Sequence, residues 1–174
     1  MALFNDVSIL CGGQKANGQM SQSCFQLQNS SWQEFPRLQK SRYAAQMTSF
    51  ENMLLITGGG NDLSTEIFDG VSWTTGPQMP RSLSHHCAVK LSNQEFLLIG
   101  GEQLESEYGK KQRVYKGQIG DENWTELPNL KVPRKGHSCG KFTLRNGTQV
   151  VIVAGGETGS KMASDVRLIG QATH

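Results

Sequence analysis

The four histidines of this chain are its best candidates for metal binding or acid–base catalysis. His85 and His86 are adjacent, so on a strand they point to opposite faces and cannot bind one metal ion together. His85 aligns with His137 in the repeat described below, which gives two ligands, whereas catalytic zinc normally has three protein ligands. His174 adds no third ligand, and the motifs of serine hydrolases and phosphate-binding loops are missing. The sequence therefore predicts a protein that is not an enzyme, with no metal and no cofactor.

The four cysteines form the second reactive set. Cys11 and Cys24 are predicted on neighbouring antiparallel strands, where a cross-strand disulfide is within reach. Cys87 and Cys139 are predicted at the same place in two successive repeats, on inner strands, which favours buried free thiols. The sequence thus predicts a disulfide for the first pair and free thiols for the second.

Three asparagines begin the acceptor sequence for N-glycosylation, namely Asn29, Asn123 and Asn146. Together with the spacing of Cys11 and Cys24 they favour a secreted protein or ectodomain. A cytoplasmic protein is the alternative, and the sequence leaves the compartment open.

Three arginines, Arg42, Arg81 and Arg134, are each predicted to begin a first strand. A ring of guanidinium groups there would bind acidic peptides or carboxylates through bidentate hydrogen bonds. In the alternative interpretation the arginines belong to the repeat and pack against the neighbouring unit. The second interpretation is favoured, and the two are compatible.

An internal repeat must position all of these residues, and three tags in constant order mark it. In the first tag an aliphatic run ends in two glycines, at Gly12-Gly13, Gly58-Gly59, Gly100-Gly101 and Gly155-Gly156. In the second, a tryptophan is followed by proline four places later and an aliphatic residue six places later, at Trp32, Trp73 and Trp124. The third is an aromatic residue before each tryptophan, at Phe25, Phe68 and Tyr115.

Within each repeat the apolar pattern is typical of four short strands. Residues 81–124 show this most clearly, with an alternating stretch, a polar turn, the aliphatic run into the glycines, and two further strands. Asn146-Gly147 is a strong hairpin signal between two strands of the last repeat. No apolar pattern with a period of 3.6 residues is sustained, so we expect almost no helix.

An aliphatic strand that ends in Gly-Gly, followed by an aromatic residue and then a tryptophan, resembles the kelch repeat. The segments that begin at Arg42 and at Arg134, the latter including His137, also resemble the opening of a kelch unit. No Trp-Asp dipeptide is present, which argues against WD40 repeats. The resemblance covers nearly the whole chain and implies an all-β fold of four-stranded antiparallel meanders, the blades of a β-propeller.

The chain is predicted to be one domain, a partial propeller over residues 1–174. Residues 4–41 form an incomplete first blade, 42–80 and 81–133 two whole blades, and 134–174 an incomplete last blade, with three, four, four and three strands. Kelch propellers typically close with six blades, so the resemblance implies an incomplete ring. A fragment of a longer protein is the favoured interpretation; a ring completed by a second chain and an open array are the alternatives.

Loops that follow the glycine pairs and loops that follow the tryptophans should emerge on one face, where kelch proteins usually bind partners. These loops comprise residues 14–23, 60–64, 102–112 and 157–163 in the first set and 35–41, 76–80 and 127–133 in the second. The longest, 102–112, carries the candidate contact residues Glu105, Tyr108 and Lys110, and His137 is a further candidate contact residue. A solvated loop without a partner is the favoured interpretation of that segment.

Composition narrows the class of partner. The formal net charge is +2 with both signs dispersed, so no nucleic-acid surface is indicated. The longest aliphatic run, at 150–154, is far shorter than the roughly 20 residues of a membrane-spanning helix. No signal peptide can be recognised in the first ten residues. The predicted function is a non-catalytic scaffold that binds a protein or peptide through its loops; a glycan-binding or carbohydrate-active propeller and a structural spacer are the alternatives.

Overall fold

The computed structural model describes residues 1–60, 62–102 and 112–158, together with the backbone of two strands at 161–162 and 166–170. All regular secondary structure in this part of the chain is β-strand. The prediction of an all-β fold without helices is therefore confirmed for the described residues. No helix there is long and apolar enough to cross a membrane.

The strands form four antiparallel sheets in chain order, called sheet 1 to sheet 4 here, and one short hairpin. Sheet 1 contains β1 (Ala2–Phe4), β2 (Val7–Cys11), β3 (Cys24–Gln28) and β4 (Ser31–Phe35). Sheet 2 contains β5 (Gln46–Phe50), β6 (Met53–Thr57), β7 (Thr65–Phe68) and β8 (Trp73–Thr75). Sheet 3 contains β9 (Cys87–Lys90), β10 (Glu95–Ile99), β11 (Val114–Gln118) and β12 (Thr125–Leu127). Sheet 4 contains β13 (Ser138–Thr143), β14 (Gln149–Ala154) and β17 (Val166–Gly170), and the hairpin before β17 is β15 (Glu157–Thr158) and β16 (Lys161–Met162).

Sheet 1 has four strands, so the prediction of only three strands in the first unit is wrong. Its first strand, Ala2–Phe4, pairs with Val7–Cys11 through a turn in which Asn5 and Asp6 are left-handed, with φ of 48° and 62°. A strand of three residues is too short to show an alternating pattern, which is why the sequence did not reveal it. The third strand expected in the last unit is present at Val166–Gly170 and pairs with β14.

Three apolar clusters fill the spaces between consecutive sheets. In β6, Leu54 and Ile56 belong to the cluster shared with sheet 1, whereas Leu55 belongs to the cluster shared with sheet 3. All three side chains are at most 2% exposed. The aliphatic run before each glycine pair is thus continuous because the second strand is buried on both faces.

The glycine pairs stop the second strands where two other backbones approach closely. A Cβ atom on Gly58 would overlap the carbonyl of Leu83 in the next unit, and one on Gly59 would lie 2.8 Å from the carbonyl of Tyr43 in its own unit. Their φ angles are 65° and 83°, which L side chains rarely adopt. Each glycine therefore accommodates a different neighbour, the next unit for the first and its own unit for the second.

Backbone hydrogen bonds join the units at the same points along the chain. The second glycine of a pair donates its N–H to a carbonyl of the next unit, from Gly13 to Arg42 at 2.7 Å, from Gly59 to Leu83 at 2.9 Å and from Gly101 to Arg134 at 2.9 Å. A second series runs from His85 N–H to the Ala44 carbonyl at 3.0 Å and from Gly136 N–H to the His85 carbonyl at 2.8 Å. Since the first strands of consecutive sheets also contact each other, the sheets are joined along their first strands.

Trp73 and Trp124 occupy equivalent places, and each joins its unit to the one before it. Trp73 pairs with Phe68, packs against its ring at 5.3 Å, and donates its indole N–H to the Pro36 carbonyl at 2.9 Å. Trp124 likewise packs against Phe96 and donates to the Gln78 carbonyl at 2.6 Å. The proline segment that follows one tryptophan is thus the acceptor for the next.

Candidate partner-binding edge

The described residues of both predicted sets of loops lie on the same edge of the sheets. The aliphatic residue six places after each tryptophan is buried, and its N–H donates to the loop after the glycine pair of its own unit. The bonds run from Leu38 to Gln22 at 3.0 Å, from Met79 to Leu63 at 2.7 Å and from Leu130 to Gln112 at 2.7 Å. We call this side the loop edge; its described segments are 12–23, 36–43, 58–60, 62–64, 76–84 and 128–135, together with Glu102 and Glu157.

Arg42 does not reach solvent at the loop edge. Its side chain is 1% exposed and lies 3.0 Å from the carboxylate of Glu66, which is 2% exposed. Its Nη1 donates to the carbonyls of Gly58 and Ser64, both at 2.8 Å, and its Nη2 donates to the Ser64 hydroxyl at 2.9 Å. This guanidinium group therefore holds the end of sheet 2 together and cannot bind an external carboxylate.

Arg134 has the same position in sheet 4 and is also buried, with 0% exposure. It donates to the Gly155 carbonyl at 2.8 Å, as Arg42 does to that of Gly58. The burial of Arg42 and Arg134 agrees with the favoured interpretation, in which these arginines belong to the repeat, although both bond inside their own units and not to a neighbouring one. Neither group is exposed in an open rim for acidic partners.

Arg81 is not the third member of this set. Leu83 occupies the equivalent position in sheet 3, since its carbonyl accepts the N–H of Gly59. Arg81 is exposed and donates to the Tyr115 hydroxyl at 3.1 Å. The sequence contains a signal for this equivalence. Arg42 and Arg134 each come four residues after the buried aliphatic residue of the tryptophan tag, and the same distance leads from Met79 to Leu83.

The histidine equivalence is also corrected, because His86, not His85, matches His137. Gly101 and Gly156 are the second glycines of their pairs, and each lies against a histidine. A Cβ atom on Gly101 would contact the Cβ of His86, and one on Gly156 would contact the Cβ of His137. His86 is 1% exposed and its Nε2 lies 2.8 Å from the Thr57 hydroxyl.

Burial keeps both equivalent histidines neutral near pH 7. Desolvation, with a smaller effect of neighbouring histidines, lowers the pKa of His86 to about 3. Desolvation and the nearby Arg134 lower the pKa of His137 to about 4. His137 is 6% exposed, so its assignment as a partner contact is wrong. Among the described residues no three histidine, cysteine or acidic side chains converge on a metal site.

One pair and one group of three accessible side chains, drawn from three units, define the surface of the loop edge. The Tyr43 hydroxyl lies 3.3 Å from His85 Nε2, and the two rings meet edge to face at 5.4 Å. Lys135 Nζ lies 3.0 Å from both oxygens of Glu102 and 4.0 Å from Glu157. The hydrogen bond to Glu102 is the main reason why the pKa of Lys135 is raised. We call these five residues the rim cluster.

The sequence did not indicate the rim cluster, because its members come together only when three units pack side by side. The positions themselves follow a simple rule: Tyr43 and Lys135 each come five residues after a buried aliphatic residue of the tryptophan tag. The candidates Glu105, Tyr108 and Lys110 lie outside the described residues.

The aromatic tag marks two positions, not one. Phe25 pairs with Leu10, and Tyr115 pairs with Leu98 at the equivalent place in sheet 3. In sheet 2 this place holds Glu66, and Phe68 lies two residues further along its strand. All three aromatic residues still share the face directed toward the preceding unit.

Both cysteine pairs are disulfide-bonded. The predicted bond between Cys11 and Cys24 is confirmed, as the two residues are direct cross-strand partners with Cα atoms 4.1 Å apart. The prediction of free thiols at Cys87 and Cys139 is wrong, since these residues link sheets 3 and 4 with Cα atoms 6.0 Å apart.

A one-residue offset explains the second bond. Cys87 pairs with Ile99, whereas Cys139 pairs with Val153, so the two cysteines occupy successive and not equivalent positions of the first strand. Successive positions point to opposite faces of a sheet. The two thiols therefore face each other across the space between sheets 3 and 4.

The three acceptor asparagines for N-glycosylation are exposed. Asn29 lies in the turn between β3 and β4, Asn123 in the turn between β11 and β12, and Asn146 in the turn between β13 and β14. Turns between first and second or between third and fourth strands lie opposite the loop edge. Glycans attached there would leave the loop edge uncovered.

The fold defines a chain of repeated antiparallel sheets, and comparison with known proteins adds little beyond that class. No protein-family model matches the chain. It is 28% identical over 149 residues to a tRNA wybutosine-synthesizing protein 4 from Aspergillus fumigatus. The match covers 80% of this chain but 14% of the fungal protein, so the chain spans about one seventh of that relative's length.

Proposed function

We propose that the four sheets are kelch-type blades of a β-propeller and that the chain is a non-catalytic scaffold that binds a protein or peptide at its loop edge. Four features support a propeller: antiparallel sheets in chain order, meander connections, contacts between consecutive first strands, and apolar layers between sheets. The Gly-Gly and tryptophan tags that resemble kelch repeats each have a distinct structural role in this packing.

The observation that carries the binding proposal is the rim cluster on its rigid base. Tyr43 is 37% exposed, and the backbone next to it is fixed by Arg42 and by the hydrogen bond from His85 to Ala44. A preorganised aromatic and charged surface loses little conformational entropy on binding. Tyrosine is also among the residues that contribute most to protein interfaces.

The chemistry of the loop edge supports binding and not catalysis. Its buried histidines are neutral and enclosed, and its lysine is paired with carboxylates. The activity named for the fungal relative belongs to a chain of which the match covers 14%, which is compatible with a non-catalytic part. Two disulfides are typical of proteins that mature in an oxidising compartment, and we propose this for the chain as well.

A photo-crosslinking amino acid placed at Tyr43 tests the proposal, with the same group at Val71 as the matched control. Val71 is 79% exposed in the turn between β7 and β8, on the opposite edge. In an extract of the organism that makes the protein, we expect a discrete polypeptide adduct from position 43 and none from position 71. Lys135→Glu should reduce that adduct, since it places an acidic group beside Glu102.

Three outcomes would contradict the scaffold proposal. Equal adducts from both positions would remove the loop edge as the binding surface. The absence of any adduct from either position would favour a structural spacer. Binding to immobilised glycans that Tyr43→Ala abolishes, without a polypeptide adduct, would favour the glycan-binding alternative.

A further inference from the structure

One face of sheet 1 is apolar and exposed across all four of its strands. Its residues are Leu3, Leu10, Phe25, Leu27 and Trp32, which are 57%, 42%, 38%, 39% and 48% exposed. Leu10 pairs with Phe25 and Leu27 pairs with Trp32, which places these side chains on one side of the sheet. We call this surface the open face.

Several of the equivalent residues of sheets 2 and 3 are buried against the preceding sheet. Ile56 and Leu98 occupy the place of Leu10 and are 2% and 0% exposed. Trp73, in the place of Trp32, is 4% exposed and donates its indole N–H to the preceding unit. The open face is therefore one half of an interface that the chain builds three times, between sheets 1 and 2, 2 and 3, and 3 and 4.

Sheet 4 presents the other half of the same interface. Val153 and Cys139 point toward sheet 3, so Ile152 and Phe142, at alternate positions of β14 and β13, point away from it. Ile152 is the equivalent of Leu55, which contacts the following sheet in its own unit. Phe142 is 51% exposed and Leu144 is 43% exposed. The chain thus carries two uncovered apolar faces of complementary type.

We propose that a second copy of this chain covers the open face, with sheet 4 of one copy packed on sheet 1 of the other. This head-to-tail contact continues the series of three interfaces within the chain, in which the later sheet always presents the same face, the one that carries the tryptophan in sheets 2 and 3. Two such contacts close a two-fold ring of eight sheets, within the four to eight blades of known propellers. Burial of Trp32, Phe25 and the three leucines supplies the hydrophobic free energy.

The mass of the unmodified 174-residue chain in solution is the first measurement. Sedimentation velocity at micromolar concentration should give a species of about twice the 19.1 kDa of one chain. Trp32→Lys should shift it to the monomer mass, because a charge would be buried in the new interface. Val71→Lys is the matched control, since this residue is 79% exposed and lies off the open face, and it should remain dimeric.

A second variant tests the head-to-tail geometry. Phe142→Lys on sheet 4 should also give monomers, and mixing it with Trp32→Lys should restore dimers, because one intact contact remains in the mixed pair. A Phe142→Lys variant that stays dimeric would show that sheet 1 pairs with itself and would overturn the proposed geometry. A wild-type chain that remains monomeric at 100 micromolar, about the concentration at which a weak interface would form, would overturn the proposal altogether. Circular dichroism of each variant confirms that these exposed substitutions leave the fold intact.

Discussion

Sheets 2 and 3 place different chemistry on the same backbone. Arg42 and Glu66 form a buried ion pair at 3.0 Å in sheet 2, whereas the equivalent positions of sheet 3 hold Leu83 and Tyr115. Leu83 and Tyr115 belong to one apolar cluster and are 5% and 4% exposed. The backbone bond to the preceding unit is nevertheless the same in both sheets. The Arg42 carbonyl accepts the N–H of Gly13, and the Leu83 carbonyl accepts the N–H of Gly59.

The comparison shows which interactions define a unit and which are interchangeable. The backbone bond from the glycine is constant, and the side chain behind it is arginine in two units and leucine in one. A buried ion pair is stable only when its charges and hydrogen bonds are satisfied together, and well-packed apolar residues of similar volume often serve equally well. Sheet 2 should therefore be sensitive to the loss of either charge and tolerant of the loss of both.

The largest effect is expected from Arg42→Leu, which leaves Glu66 buried without its cation. The free energy of unfolding should fall by about 3–5 kcal/mol. Urea denaturation followed by tryptophan fluorescence measures it, with Leu83→Met at the equivalent position of sheet 3 as the control. We expect less than about 1.5 kcal/mol for that control. Equal losses in the two variants would show that the ion pair has no special role.

Removal of the bond between sheets 3 and 4 should have the next largest effect. Cys87→Ala with Cys139→Ala should lower the free energy of unfolding by about 2–4 kcal/mol, because the bond closes a loop of 52 residues. No disulfide joins sheets 2 and 3. The variant therefore makes the interface between sheets 3 and 4 similar to the one between sheets 2 and 3. The corresponding double substitution at Cys11 and Cys24 should have a smaller effect, since their separation is 13 residues. A larger loss for the shorter loop would contradict this account.

Acidification should weaken sheets 3 and 4 more than sheet 2, where Ala45 occupies the histidine position. The folded-state pKa values of about 3 for His86 and about 4 for His137 lie below the ordinary 6.5. The unfolded chain therefore binds more protons, and stability falls as pH drops from 6.5 toward 4. At pH 5 each histidine should account for about 2 kcal/mol.

Denaturation of wild type and of His137→Ala at pH 7 and pH 5 measures this contribution. The variant should lose less stability between the two pH values than wild type does. An identical pH dependence in both proteins would mean that His137 binds protons equally in the folded and unfolded states between these pH values, and would contradict the lowered pKa.

The smallest effect is expected when the sheet 3 pair is transferred into sheet 2. Arg42→Leu combined with Glu66→Tyr should bring the free energy of unfolding back to within about 1 kcal/mol of wild type. The same urea titration reports it, and near-UV circular dichroism checks that the packing is unique. If the double variant is no more stable than Arg42→Leu alone, the two sheets are not interchangeable at these positions.

The sequence predicted those parts of the fold that lie within one unit. The glycine pairs, the tryptophans and the aliphatic residue after each proline repeat at constant local distances, and the structure gives each a single role. Contacts between units were harder to predict. Cys87 and Cys139 differ by one residue in position, which reverses the face of the strand and converts two expected thiols into a bond.

The candidate site was predicted in location but not in composition. Topology alone placed both loop sets on one edge. The burial of Arg42 and Arg134 depends on carbonyl acceptors that converge only in the folded unit, so side-chain type suggested an exposed role that the structure does not support. The pairing of Tyr43 with His85 depends on the packing of two consecutive units, since the two residues are 42 positions apart in the sequence.

The bond from the second glycine to the next unit has an evolutionary consequence. Because donor and acceptor are both backbone atoms, the joint between units does not depend on which side chains flank it. A unit could be duplicated, lost or exchanged without redesign of that joint, and only the apolar layer would need to adapt. Arg42, Leu83 and Arg134 differ in side chain, but their carbonyls accept the same hydrogen bond from the preceding unit. This is the pattern expected of units that arose by duplication and then diverged.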